Sequence, residues 1–237
     1  MSHLHVPDGV LPAWLWIAGL ALAMLLLSWR SGAADPASPR TRRAIATKGA
    51  LGAVVLVAMT LPLGPLDIHV TLAGLVGILL GARAAFEVGF IVSAILALMG
   101  HGGLTVVGLN ALVFGVAAGS AGPLYALLAP RTGAAAAMMW ATAIGQALAG
   151  VGWLALALAG IESHAGHEAG RHAGRLAGIG LPLWAAGIAV EALVAFGVGR
   201  FLARVHPGLL PDGAARAASG PTPSTRGAET AAGTPVR

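Results

Sequence analysis

The chain contains no cysteine among its 237 residues. Disulfides, thiolate metal sites and thiol nucleophiles are therefore excluded. Charge is scarce as well: Asp, Glu, Lys and Arg make up 10% of the residues, where soluble domains carry roughly 25%. There is no Gly-x-x-x-x-Gly-Lys-Ser/Thr loop to cradle ATP phosphates, no His-Glu-x-x-His and no Gly-x-Ser-x-Gly. Those absences argue against nucleotide binding of the P-loop kind and against the common intramembrane hydrolase chemistries. No internal repeat of the kind that marks many secondary transporters is visible. A membrane subunit that captures a substrate and draws its energy from other chains fits this pattern.

What the sequence does contain is apolar length. Hydrophobic residues make up 57% of the chain and the mean hydropathy is +0.83. The class is an all-α integral membrane protein, with the lipid bilayer as its surroundings. Its first apolar run has a His-rich flank and no prompt small-residue cleavage site, so it does not read as a secretory signal. Residues 1–10 form a short polar segment, residues 11–203 a membrane domain, and residues 204–237 a Pro-, Gly-, Ala-, Ser- and Thr-rich tail that reads as disordered and cytoplasmic.

Within the membrane domain, uncharged runs predict spans at 11–29 and 49–66, separated by a basic loop over 30–48. A short run at 70–82 predicts a tilted, partly buried or broken helix. Residues 88–130 lack charge altogether and are too long for one crossing. The Gly100-His-Gly-Gly103 break divides that region into helices of about 84–100 and 104–129. Spans at 132–161 and 176–201 bring the expected total to seven.

Charge sets the orientation. With the amino terminus outside, twelve of the fourteen Lys and Arg fall on inner segments, and only Arg171 and Arg175 fall outside. The positive-inside rule thus predicts an outer amino terminus and an inner carboxy terminus. A net charge of +5 is accounted for by this topology, and no nucleic-acid partner is expected.

The same topology places His3, His5, His69 and His101 on the outer side, from three separate segments. Neutral imidazoles suit borderline divalent metals, and a terminal amine beside them offers a further nitrogen. Asp8 and Asp67 are positioned in sequence to orient such ligands. His164, His167 and His172 lie on another outer loop, which reads either as a solvated loop or as a tract that collects metal. Glu87, one turn from Arg83, predicts an ion pair, whereas Glu191 lies alone within the last span.

The stretch His5-Val-Pro-Asp-Gly9 followed by Leu11 and Pro12, and the block Gly100-His-Gly-Gly-Leu-Thr105 running on to Gly108 and Asn110, resemble the CbiM/NikM family. The resemblance covers roughly residues 3–200. These are substrate-specific membrane components of energy-coupling-factor importers for cobalt and nickel. The resemblance implies a seven-helix bundle with its amino-terminal segment tucked into the outer face. It implies Co(2+) or Ni(2+) as transported substrate, no organic cofactor, and a role in cobalamin biosynthesis or nickel enzymes. Implied partners are a CbiQ/NikQ-like coupling subunit, CbiO/NikO-like ATPases at the cytoplasmic face of the plasma (inner) membrane, and a small CbiN/NikN-like subunit.

The resemblance also implies a near-planar nitrogen site built from the terminal amine, an early His and a later His. His69 is the later ligand, and His3 or His5 the early one, His3 being the second residue if Met1 is removed. His101 and Asn110 would lie around the ligands, and Ile95 stands where the family often carries Gln. Two other readings stay open: a stand-alone nickel or cobalt permease, and an intramembrane enzyme using the His cluster.

Overall fold

Gly81 and Gly133 each join two helices without any further linker. Helix α3 (Ala73–Leu80) meets α4 (Ala82–Leu98) at Gly81, and α5 (Val107–Thr132) meets α6 (Ala134–Ser163) at Gly133. The two glycines share one conformation, φ 79°, ψ 161° and φ 78°, ψ 163°. Only glycine enters that region without strain. Each also closes the preceding helix, Gly81 N–H donating to the Gly77 carbonyl and Gly133 N–H to the Ala129 carbonyl.

The computed structural model describes residues 8–9, 11–29, 39–62, 69–163 and 181–211. Among these residues the remaining helices are α1 (Ala13–Ser28), α2 (Pro39–Thr60) and α7 (Leu181–Val205), followed by a 3-10 turn at Pro207–Leu209, and no strand occurs. Among the described residues four helices are long and apolar enough to cross a membrane: α2 from Arg42, α5, α6 over Ala134–Leu156, and α7. Helix α1 is apolar but shorter, at 16 residues. Helix α3 has 8 residues, about 12 Å of rise, and is buried from Ala73 to Ile78. It answers the short, partly buried helix expected near residues 70–82 and is more deeply buried than that.

One boundary differs from expectation. Composition predicts a loop over the basic segment 30–48, but α2 begins at Pro39. A proline is tolerated in the first helical turn, where its missing N–H has no intrahelical acceptor. Arg42, Arg43 and Lys48 are compatible with a helix that continues beyond its apolar part. The apolar stretch marks where lipid is met, not where the helix starts.

Helix α5 organises the packing, with α1, α3, α4 and α6 against it, while α7 lies on α6 and α2 on α4. The α1–α5 approach is close. A Cβ at Gly108 would come within 2.5 Å of the Leu20 Cα, which is the use small residues have between membrane helices. The two ends of α4 differ in chemistry. At its start Glu87 accepts from Lys48 Nζ at 2.5 Å and from Arg83 Nε at 3.1 Å. The expected Arg83–Glu87 pair is present, with Lys48 added from α2. The other end leads directly to His101.

Candidate metal centre

The exit of α4 fixes His101 through backbone geometry. His101 N–H donates to the Leu96 carbonyl at 2.8 Å and Gly100 N–H to the Ala97 carbonyl at 3.1 Å, with Gly100 at φ 82°. This pair of bonds is a Schellman closure with glycine in the left-handed position. It delivers His101, which is exposed, to a fixed place at the helix mouth. The His101 ring lies against the ring of half-buried His69, centroids 6.4 Å apart and planes at 77°.

The same block holds Asp8. Its carboxylate accepts from Leu104 N–H at 2.9 Å, from Thr105 N–H at 2.9 Å and from the Thr105 hydroxyl. These donors lie in the turn just before α5, so Asp8 fixes that turn from a distant segment of the chain. The Thr105 hydroxyl bond, with the Thr105 and Leu104 N–H groups, holds the Asp8 carboxyl below its usual 3.8 against the opposing effect of burial. Gly103 is needed for space: a Cβ there would fall on the Asp8 carboxylate and within 2.5 Å of the Asp8 nitrogen. Three residues on, Leu11 is buried with Val106 and Leu109. The start of the described chain is thus tied to the 103–109 block at two points.

Beneath His69 lies a polar centre that sequence reasoning did not assemble. Glu191 Oε1 accepts from Thr71 N–H at 2.7 Å and from the Thr71 hydroxyl at 2.8 Å. Gln146 Nε2 donates to Glu191 Oε2 and to Thr71 Oγ1, each at 2.5 Å. Thr71, Ser93, Asn110 and Gln146 line one cavity of about 20 Å³, room for roughly one water molecule. Asn110, expected near the ligands, shares this cavity with Thr71, two residues after His69. The pattern that could have revealed this centre is sparse: Gln146 and Glu191 are isolated polar residues in otherwise apolar runs.

Of the predicted site residues, His69, His101, Asp8 and Asn110 are described and lie on the linked segments above. His3, His5 and Asp67 lie outside the described residues, as do His164, His167 and His172. Among the described residues no group of three or more His, Asp or Glu stands ready to hold a metal ion. The described part supplies one imidazole pair and the scaffold around it.

The family model for CbiM, the cobalt uptake substrate-specific transmembrane region, matches residues 5–209. The chain belongs to the CbiM family. No match was found among curated proteins. Membership makes this chain a multi-pass membrane component of cobalt transport, in a family of transport components and not of enzymes. The match spans both motif blocks and the helices between them.

Proposed function

We propose that this chain is the substrate-capturing subunit of an energy-coupling-factor importer, with seven membrane helices and its amino terminus on the outer side. In this reading His69 and an early imidazole, His3 or His5, bind one Co(2+), with Ni(2+) as the competing ion. Asp8, Asp67, His101 and Asn110 orient the ligands. A coupling membrane subunit and cytoplasmic ATPases supply the energy, with or without a small accessory membrane subunit, and the membrane is the plasma (inner) membrane. The metal serves cobalamin biosynthesis or a nickel enzyme.

The observation that carries the reading is the tether of Asp8 to Leu104 and Thr105, in the block whose His101 ring meets His69. His5 is three residues from Asp8, so the extended chain between them spans at most about 11 Å. Imidazoles are apt donors for both ions, which follow each other in affinity order.

Purified protein is expected to bind about one metal ion per chain by equilibrium dialysis with mass-spectrometric metal detection. His69→Ala should abolish binding, and His3→Ala and His5→Ala, made separately, identify the early ligand. Unchanged binding in His69→Ala overturns the site. Competition between the two ions decides the substrate.

A stand-alone permease would require a polar route through the bundle. The interior beyond the polar centre is lined by residues such as Val76, Ile78, Ala117, Ala118 and Ala121, all buried, which favours capture over conduction. Cobalt uptake is expected only with the partner subunits co-expressed. Full uptake by this chain alone would establish the permease reading instead.

A further inference from the structure

The described chain buries six polar or charged residues, Thr71, Ser93, Asn110, Thr142, Gln146 and Glu191. Four of them line the cavity below the His69 segment, and Glu191 bonds to two of those four, Thr71 and Gln146. Burying a carboxylate half-way along an apolar helix is costly unless it is fully hydrogen-bonded. Glu191 is therefore retained at a cost that the cobalt ligands alone do not explain.

Leu72 indicates what that carboxylate does. It has φ 54° and ψ 16°, the sole left-handed non-glycine residue among those described. A leucine stays in that conformation only where its surroundings force it. The forcing contacts are visible. Thr71, on one side of Leu72, gives both its N–H and its hydroxyl to Glu191 Oε1, and Ala73 N–H, on the other side, donates to Thr71 Oγ1 at 3.3 Å. The backbone on both sides of Leu72 is thus pinned through Thr71 to a carboxylate from α7. Gln146 from α6 fixes the carboxylate from its other oxygen. The segment so held begins two residues after His69.

We propose that Glu191, held by Gln146, is the positioning residue of the His69 segment: it locks Thr71 and Leu72 so that the His69 imidazole stands at the His101 ring. This proposal rests on the metal-capture reading above. Glu191 bonds to Thr71, two residues after His69, and acts through that backbone. The hydrogen-bonding pattern is specific, because the contacts named for its two oxygens are all donors. The change E191Q is isosteric but turns one oxygen into an amide that must face Gln146 Nε2 or the Thr71 donors. The double exchange E191Q/Q146E restores a matched set, since the carboxylate then stands on α6 and accepts from the amide on α7.

The test uses full-length protein in lipid nanodiscs: wild type, E191Q, E191Q/Q146E and H69A. Three quantities are measured: Co(2+) affinity, the visible absorption of the bound Co(2+), and hydrogen exchange across residues 69–72. Loss of an outer orienting contact typically weakens a metal by about 10- to 100-fold. E191Q is expected to weaken Co(2+) in that range, alter its absorption spectrum and speed exchange at 69–72, while α4 and α5 exchange as before. E191Q/Q146E is expected to recover affinity and spectrum.

Wild-type affinity, spectrum and exchange in E191Q would overturn the proposal. So would weakened binding with an unchanged spectrum, which marks a general loss of folded protein. Should E191Q fail to fold, Q146L answers the same question, because it frees Oε2 and leaves the carboxylate held by Thr71 alone; the same spectral change is then expected, and an unaltered spectrum overturns the proposal. A wild-type chain that binds no cobalt while H69A behaves identically sinks the metal reading, and exchange at 69–72 still decides whether Glu191 holds the segment.

Discussion

At the scale of single residues, the site depends on a contact that leaves no room for a methyl group. Gly103 lies against Asp8 so closely that any side chain must displace the carboxylate from Leu104 and Thr105. Gly103→Ala is therefore expected to weaken metal binding in step with release of the amino-terminal segment. Hydrogen exchange at residues 104–105 should rise in both Gly103→Ala and Asp8→Asn, and unchanged exchange in both would show that the tether is not formed. The pH dependence follows from the lowered Asp8 pKa. A carboxyl whose folded pKa is depressed contributes its stability above the unfolded value and loses it as pH falls through the folded value. Exchange at 104–105, corrected for intrinsic rates, should thus be flat from pH 8 to pH 5 and rise only below the ordinary carboxylate range. How much of this is legible in sequence differs by residue. The two motif blocks announce Asp8 and His101, because glycine spacing and resemblance are local signals. Glu191 stands out as a charge in an apolar run, yet its partners are 120 and 45 residues away. No local pattern carries such pairings, and the propensity of leucine argues against the conformation that Leu72 adopts.

At the scale of elements, the apolar runs locate the helices well and their polar ends poorly. The predicted spans at 70–82, 84–100, 104–129 and 132–161 correspond to α3 through α6, since the glycines that divide them are strong punctuation. Hydropathy places the start of α2 ten residues late, at 49 where the helix begins at 39, because it reports lipid contact whereas helix extent is set by backbone hydrogen bonding. The glycine joints give a direct prediction. Gly81→Ala or Gly133→Ala forces a Cβ into a conformation that costs on the order of 1–3 kcal/mol, and the melting temperature should fall accordingly. Gly152→Ala is the contrast. That position is inside α6 with nothing within 4 Å of an added Cβ, and alanine there is worth up to about 1 kcal/mol as a helix former. A scanning melt in which Gly152→Ala is the more damaging change would refute this role for the joints.

At the scale of the whole molecule, two independent features run in opposite directions along the same helices. Lys48 and Arg83 gather at the start of α4, and Arg131 closes α5. His101 follows the end of α4, and the Asp8 contacts precede the start of α5. Seventeen residues of α4, about 25 Å of rise, separate the cationic end from the imidazole end. Charge bias alone would assign the cationic end to the cytoplasm. A metal-capturing site needs the imidazole end to face the dilute outer solution, and the two requirements agree without either having been fitted to the other. The expected outcome is a cytoplasmic carboxy terminus. A green fluorescent protein fused after residue 237 should fluoresce, while alkaline phosphatase fused at the same place should be inactive. The reverse pattern would put the histidines on the cytoplasmic side, where a site built to capture incoming metal has no incoming metal to meet. In that event the chain would have to be read as handing metal outward or storing it, and the capture reading would fall even if His69 proved to be a ligand.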